Sequence, residues 1–222
     1  MPGGETAIKE PRRCALGVLR EILGNDLWEH GNVTSLFSSQ EISVLRQLLE
    51  KKINAPLTSS AGRLFDAVAS LLGLRGRSTF EGQAAMELEF ATQTGIGDAY
   101  PFDLKGEVPS CIVDWQPMIL ALLHDLAHRQ SAGVMAAKFH NTLTEMIVAV
   151  ARKVGEPKII LTGGCFQNRY LTERTIDRLR EENFRPYWHQ RVPPNDGGIA
   201  VGQVAAAAWS HPPLAGSNPA IA

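Results

Sequence analysis

Cysteine is scarce in this sequence, with three residues among 222. Cys14, Cys111 and Cys165 lie far apart and form no C-x-x-C pair. This spacing excludes a disulfide-rich scaffold and gives no zinc-finger pattern. Scattered single cysteines are typical of a protein that works in a reducing compartment, so we expect a cytoplasmic protein.

An excess of charge of one sign is also absent. The sequence has 22 basic and 23 acidic residues, which gives a formal net charge of −1. Because such a chain has no strong overall field, we expect neither nucleic acid nor a membrane surface among its partners. No apolar run reaches the ~18 residues that can span a bilayer, so we also expect no membrane anchor.

Hydrophobic residues make up 44% of the chain, and their spacing is helical over most of the first two thirds. The spacing predicts helices over about 11–23, 38–51, 64–72, 81–92, 120–130 and 132–153. Ile112 and Val113 predict a short strand. The stretch 93–109 contains several Gly and Pro residues and predicts a long, exposed connection.

The last third alternates between strands and helices. Lys158–Thr162 predicts a buried strand, 185–189 a second strand, and 196–209 a final helix rich in small residues. This alternation is typical of the α/β class. We therefore divide the chain into three parts. These are a helical N-terminal part of the lobe at 1–56, the C-terminal lobe at 57–209, and a tail at 210–222 that is expected to be disordered.

A glycine pair follows the predicted strand. Gly163 and Gly164 let the backbone approach a ligand, and the helix that begins next offers free N–H groups to an anion. Asn168, one turn into that helix, can add a side-chain contact. A tight strand-to-helix connection without a ligand is the alternative interpretation of the same residues.

Three carboxylates lie close to glycines in the sequence. Asp196, between Pro193-Pro194-Asn195 and Gly197-Gly198, suits a hard metal ion or a helix N-cap. Asp66 and Glu81 suit the paired hydroxyls of a ribose, since a carboxylate accepts two hydrogen bonds. Solvated helix residues are the alternative for both.

The histidines and Cys165 give weaker indications. His124 and His128 have the spacing of a zinc-chelating pair, but no third ligand lies nearby in the sequence, so a metal role is disfavoured. His140 lies within a long apolar helix and is expected to be a hydrogen-bonded core residue. Cys165 is interpreted as a small buried side chain.

Five motifs occur in an order that resembles the C-terminal part of the HypF family of hydrogenase maturation carbamoyltransferases. The resemblance runs from about Pro2 to Trp209, and several motifs in one order are more specific than any single glycine turn. The motifs are Thr58–Ala69, Glu81–Ala85, Phe139–Asn141, Gly163–Asn168 and Val192–Gly198.

The resemblance implies an α/β lobe of the actin, sugar kinase and heat-shock ATPase superfamily. Such a lobe has a mixed sheet flanked by helices, here with an added helical N-terminal part. HypF-like proteins make carbamoyl-adenylate from carbamoyl phosphate and ATP. They then pass the carbamoyl group to the C-terminal cysteine of the partner HypE, and this group becomes the cyanide ligand of the nickel–iron hydrogenase centre.

Carried over by position, the resemblance implies a nucleotide site and one ligand to a divalent metal, which is zinc, iron or magnesium. The metal ligand is Asp196. Glu87 is close enough in register to compete with Glu81 for the ribose. The implied nucleotide-binding residues are Gly62, Asp66, Glu81, Gly82, Gly163, Gly164 and Asn168.

Family members carry their metal-binding histidine pair and their first lobe upstream of the region that this chain matches. We therefore expect half a cleft, with the first lobe supplied in cis or in trans, weak nucleotide binding and no turnover by the chain alone. A non-catalytic nucleotide-binding lobe completed by another subunit is the main alternative. A tRNA threonylcarbamoyl-transferase relative is disfavoured by the near-neutral charge and by the Glu81–Ala85 motif.

Overall fold

Ten α-helices and four short strands form the part of the chain that the computed structural model describes, residues 1–29 and 31–210. Three 3₁₀ segments also occur, at Gly24–Glu29, Gly164–Gln167 and Asp196–Gly198. The strands are β1 (Asp103–Lys105), β2 (Ile112–Asp114), β3 (Lys158–Leu161) and β4 (Arg185–Trp188). The helices are α1 (Thr6–Lys9), α2 (Pro11–Leu23), α3 (Gly31–Thr34), α4 (Ser39–Glu50), α5 (Ala61–Leu71), α6 (Gln83–Phe90), α7 (Gln116–Ala127), α8 (Ala132–Val154), α9 (Arg169–Glu181) and α10 (Ile199–Ser210).

Local signals set the ends of the early helices where the sequence predicted them. Helix α2 starts with Pro11 at its first position and stops at Gly24, whose φ is 58°. Helix α4 begins with a capping box. The Ser38 hydroxyl accepts from the Glu41 N–H at 3.2 Å, and the Glu41 carboxylate accepts from the Ser38 N–H at 2.8 Å.

The larger of two hydrophobic cores joins the N-terminal helices to α5, α7 and α8. Phe65 and Phe139 meet edge to face at its centre, with ring centroids 5.0 Å apart. Residues from the 1–56 part are buried in the same core, so this part has no separate core of its own within the described residues. These include Ala15, Leu16, Leu19, Leu27 and Leu45.

A smaller core lies between α8, α9 and β3. It contains Val148, Ala151, Leu161, Ile176 and Leu179. Helix α8 therefore contributes to both cores, with Phe139 and Met146 in the first and Val148 and Ala151 in the second. This long helix fixes the position of the C-terminal strand–helix–strand unit.

The strands form two small sheets. β1 pairs antiparallel with β2, while β3 pairs parallel with β4 in a register that places Leu161 opposite Trp188. Helix α9 provides the crossover that a parallel pair requires. The α/β class is confirmed, with the strands divided between two sheets of two strands each in the described residues.

The prediction that the 158–162 strand is buried was wrong for one of its faces. Leu161 packs in the smaller core, but Ile160 is 73% exposed and Tyr187 beside it on β4 is exposed as well. Helices α8 and α9 cover one side of the β3–β4 pair and leave the other side open. An apolar sequence run could not show this, because burial on the second face depends on what covers it.

The prediction of an exposed connection over 93–109 was also wrong in part. Tyr100 is 4% exposed, its backbone N–H donates to the Thr142 hydroxyl at 2.7 Å, and its own hydroxyl donates to Asp125 at 3.0 Å. Strand β1 lies in the same stretch. Long-range hydrogen bonds to α7 and α8 hold this segment against the protein.

The final helix begins three residues later than predicted, after the 3₁₀ turn Asp196–Gly198, and every residue of α10 is exposed. Within the described ranges, no helix combines the length and apolar character needed to cross a bilayer. The tail predicted over 210–222 lies outside the described residues apart from Ser210, which ends α10.

A buried pair of hydroxyls between α8 and α9 gives a test of this packing. Thr144 and Thr175 are fully buried, and their Oγ1 atoms lie 3.2 Å apart. Changing either residue to Val leaves the other hydroxyl without this partner, which should lower the free energy of unfolding by about 1–2 kcal/mol. The double Val variant should cost less than the sum of the two single changes. Chemical denaturation of the four proteins measures this coupling, and strictly additive losses would contradict it.

Candidate functional site

The loop after β3 is held against the loop before α10. Gly163 has φ 102°, a backbone conformation that favours glycine, and its N–H donates to the carbonyl oxygen of Pro194 at 2.8 Å. The 3₁₀ turn Gly164–Gln167 follows at once. The two glycine-containing loops that the sequence singled out are therefore in direct contact.

Asn168 lies at the end of this turn, buried rather than facing a cleft. The residue is 8% exposed, its Oδ1 accepts from the Leu171 N–H at 2.8 Å, and its Nδ2 donates to His140 Nε2 at 2.9 Å. Asn168 is thus the N-cap of α9. Its side chain has structural partners at both ends in this structure.

The N-terminus of α9 does not offer the free N–H groups that we expected for an anion. A carboxylate oxygen of Glu89, on α6, accepts from the N–H groups of Arg169 at 2.7 Å and Tyr170 at 3.2 Å. Asn168 satisfies the N–H of Leu171. The 3₁₀ turn that starts at Gly164 lies just before these occupied N–H groups. Glu89 is 80 residues away from Arg169 in sequence, so no local pattern indicated its role.

Asp66 is buried in α5 beside Arg63. It is 4% exposed, and its Oδ2 lies 2.7 Å from Arg63 Nη1, yet neither atom has a hydrogen bond of good geometry within the described residues. Burial raises the pKa of Asp66 to about 6, Arg63 opposes that rise, and the nearby Glu81 adds to it. A buried carboxylate oxygen without a well-aligned donor is a suitable acceptor for a ligand hydroxyl.

The structure distinguishes Glu81 from Glu87. Glu87 forms an ion pair with Arg75, with Arg75 Nε 2.7 Å from Glu87 Oε2, and also accepts from Gln83. Glu81 is exposed and close enough to Asp66 to affect its pKa. Gly82 follows at φ 77°, with open space where a Cβ would lie. The ion pair with Arg75 therefore accounts for Glu87 without a ligand.

Asp196 is exposed at the start of its 3₁₀ turn. Its neighbour Asn195, and not Asp196, caps this turn by accepting from the Gly197 N–H at 3.1 Å. No group of three or more His, Cys, Asp or Glu residues that could hold a metal occurs among the described residues. Catalytic zinc sites use three protein ligands, so the donor set present here does not hold a metal by itself.

The other candidates have structural explanations. His124 and His128 are exposed and stack at the C-terminal end of α7, with ring centroids 4.1 Å apart. His140 is a fully buried, hydrogen-bonded residue, as predicted. Cys165, predicted to be buried, is only partly buried, and this burial raises the pKa of its thiol, which disfavours a nucleophile there. All three cysteines are free.

A cavity of about 1020 Å³ lies beneath the glycine loop. Its walls include Thr58–Ala61 before α5, the segment Thr162–Phe166, and apolar side chains of α8 and the β1–β2 pair. Gly163 and Gly164 line it, whereas Asp66, Asn168 and Asp196 do not. The predicted residues are therefore grouped around neighbouring elements but do not enclose one site within the described chain.

Comparison with known proteins agrees with the motifs. Residues 1–203 match the family described as carbamoyltransferase, Kae1-like domain, second subdomain. A carbamoyltransferase HypF of Synechocystis sp. is 40% identical over 218 residues, which cover 92% of this chain and 28% of that protein. A probable carbamoyltransferase HypF of Methanocaldococcus jannaschii is 31% identical over 205 residues, covering 90% of this chain and 26% of the relative.

Two solved structures have the same fold. A crystal structure of full-length HypF in the phosphate- and nucleotide-bound form gives a TM-score of 0.83 at 34% identity, covering 97% of this chain and 28% of that one. The crystal structure of T. kodakarensis HypF gives 0.73 at 26% identity, covering 92% and 28%.

The sequence match and the fold together define the second subdomain of a Kae1-like domain. The chain belongs to the HypF carbamoyltransferase family. It spans 26–28% of the length of the relatives named above, so the activity of those whole proteins belongs to the proposal that follows.

The buried His140 gives a pH test. Burial lowers its pKa from 6.5 to about 4, so the fold favours the neutral ring. The stabilisation that the neutral His140 ring gives the fold is complete above pH 6.5. It is lost as the pH falls towards 4, which lowers the free energy of unfolding by at most about 3 kcal/mol. Asp66 acts with the opposite sign, because its raised pKa lets protonation below about pH 6 stabilise the fold.

Unfolding free energies of the wild type and His140→Gln between pH 7 and 4 separate the two contributions. The stability difference between them should shrink or reverse as the pH falls, since Gln does not titrate. Asp66→Asn serves as the matched variant that removes the opposing contribution. A difference independent of pH would show that His140 is not held neutral by the fold.

Proposed function

We propose that the chain forms one half of the carbamoyl-adenylate site of a HypF-type carbamoyltransferase. ATP and carbamoyl phosphate supply the adenylate, and the carbamoyl group passes to the C-terminal cysteine of a HypE-like acceptor in nickel–iron hydrogenase maturation. The observation that carries the proposal is the hydrogen bond of 2.8 Å from Gly163 to Pro194, which joins the two glycine-containing loops. Membership of the HypF family supports it.

The glycine loop supplies backbone contacts in this proposal. Open space lies where a Cβ of Gly163 or Gly164 would be, so a ligand can approach the main chain closely. Gly164 and Cys165 are the first residues of the 3₁₀ turn, and their N–H groups have no acceptor within that turn. Such groups suit phosphate or ribose oxygens.

Asp66 and Glu81 are assigned to the ribose in this proposal. Asp66 Oδ2 has a poorly aligned partner in Arg63, which leaves acceptor capacity for a hydroxyl. Gly62 precedes Asp66 by about one helical turn, and the nearest atom to a Cβ there is Ser60 Oγ at 3.5 Å. Gly82 is open as well. Small residues beside both carboxylates leave room for the nucleoside.

The chain's contribution to the reaction is to position the adenylate. The acceptor thiolate attacks the carbamoyl carbon, the sulfur–carbon bond forms, and the bond between that carbon and the phosphate oxygen breaks to release AMP. Burial raises the pKa of Cys165, which disfavours it as this nucleophile. We assign the attacking sulfur to the partner protein.

Asp196 supplies one ligand to a divalent metal in this proposal, and the remaining ligands come from the first lobe. Its carboxylate is exposed beside the Gly163–Pro194 contact. Since the described residues offer no group of three ligands, the identity of the metal, whether zinc, iron or magnesium, is set by groups outside this chain.

The first lobe, in cis or in trans, covers the apolar surfaces that this chain leaves open. Parallel sheets are normally covered on both faces, yet Ile160 and Tyr187 are exposed. Helix α10 adds Val201, Val204 and Trp209, the last of which is 88% exposed. Exposed apolar patches of this kind mark interaction sites.

We keep the cytoplasm as the expected location, in line with the three free cysteines.

A non-catalytic nucleotide-binding lobe that docks onto another subunit is the second candidate function. The observation in its favour is that Asp196 belongs to no group of three or more candidate metal ligands in the described residues. The two candidates share the same nucleotide contacts and differ in whether the completed assembly transfers a carbamoyl group. Transfer assays with a first lobe added in trans would separate them.

Calorimetric titration of ATP or ADP into the 222-residue chain tests the glycine loop. We expect weak binding by the wild type and at least about tenfold weaker binding by Gly164→Val, because the added side chain occupies the space assigned to the ligand. Gly76→Val is the matched control, since its Cβ also meets no atom within 4 Å and Gly76 lies in no predicted site. Equal affinities for all three proteins would remove the assignment.

Asp196→Asn tests the metal ligand in the same assay with the first lobe added in trans, since the chain alone lacks the remaining ligands. The wild type should bind ATP more tightly with a divalent cation than without it, whereas Asp196→Asn should bind equally in both conditions, because an amide is a poorer ligand for a hard cation than a carboxylate. Asp177→Asn on α9 controls for the loss of an exposed negative charge. A metal effect that persists in Asp196→Asn would contradict the assignment.

A further inference from the structure

The place where the glycine loop becomes α9 is tied to the middle of α8 by one chain of hydrogen bonds. The carbonyl oxygen of Ala136 lies 2.7 Å from His140 Nδ1, and His140 Nε2 lies 2.9 Å from Asn168 Nδ2. Asn168 Oδ1 then accepts from the Leu171 N–H at 2.8 Å. His140 is fully buried and Asn168 nearly so.

Each polar atom in this series of hydrogen bonds has one consistent role. A carbonyl oxygen accepts, so His140 Nδ1 carries the proton and Nε2 is the acceptor. The Leu171 N–H donates, so the Asn168 amide must turn Oδ1 towards it and Nδ2 towards His140. The burial that lowers the pKa of His140 keeps the ring neutral, which preserves the acceptor at Nε2.

We infer that His140 is a positioning residue for the glycine loop, which it holds through Asn168 in the conformation that receives the nucleotide. This inference rests on the proposed function. The loop has two fixed ends: Gly163 is bonded to Pro194, and Asn168 is bonded to His140. The 3₁₀ turn that bears the Gly164 N–H lies between them.

Packing alone does not require a histidine at this position. The His140 ring contacts Phe65, Phe139 and Tyr170 edge to face, with centroids 5.5, 5.6 and 5.5 Å away. A leucine of similar size would serve that apolar environment, but it would leave Asn168 Nδ2 buried without this acceptor. The acceptor nitrogen is therefore the property of His140 that bears on the loop.

Neighbouring contacts hold α9 independently of His140. The Tyr170 hydroxyl donates to Asn141 Oδ1 at 3.0 Å, and Glu89 accepts from the first N–H groups of α9. Loss of the His140 acceptor should therefore release the Asn168 amide and the turn before it while leaving α9 in place. This separates an effect on the loop from general unfolding.

The test compares ADP affinity, measured by calorimetry, across four 222-residue proteins: the wild type, His140→Leu, His140→Gln and Val148→Ala. His140→Leu should weaken ADP binding about tenfold, which corresponds to about 1.4 kcal/mol. His140→Gln, which can again present an acceptor to Asn168, should recover most of that loss. Val148→Ala creates a cavity in the smaller core and controls for lost stability. It should lower Tm while leaving the affinity unchanged.

Unchanged affinity in His140→Leu, or an equal loss in Val148→Ala, would overturn the inference while leaving the proposed function intact. Absence of ADP binding by the wild type would instead refute the proposed function. In that case amide hydrogen exchange still tests whether His140 holds the loop. Faster exchange at the Leu171 amide in His140→Leu than in Val148→Ala supports a held loop, and equal exchange in the two variants overturns it.

Discussion

The amide of Asn168 is the constraint on which the candidate site depends. Asn168 lies between the 3₁₀ turn and α9. Its Oδ1 accepts from the first turn of α9, and its Nδ2 donates to His140 on α8. Because the amide is buried, leaving either end without a partner costs free energy, and this limits the positions that the glycine loop can take. The position of Gly164 in the cavity wall follows from this restriction.

Features set by neighbours in sequence were predictable from the sequence. Pro11 and Gly24 mark the ends of α2, Ser38 and Glu41 form the capping box of α4, and β3 and β4 lie where alternation with helices placed them. Each depends on backbone or side-chain chemistry within a few residues. The family resemblance drew on the same kind of evidence, since its motifs are short and contiguous.

Contacts between distant residues were not predictable. Glu89 reaches the N-terminus of α9 across 80 residues, and Asn168 bonds to His140 across 28 residues. A glycine pair before a helix indicates that backbone N–H groups are available, but it does not show that other side chains already occupy them. The open face at Ile160 was missed for a related reason, because the β3 sequence carries no information about what covers its second side.

Helix α8 contributes residues to both hydrophobic cores and so couples their stability. Its 23 residues extend over about 34 Å, with Phe139 in one core and Val148 in the other. Heating that melted either core would remove packing contacts of α8 that also support the other core, so the chain should lose its structure in one step. A boundary at residue 56 is accordingly not a place where this chain can be cut, since Leu16 and Leu19 would leave a hole against α5.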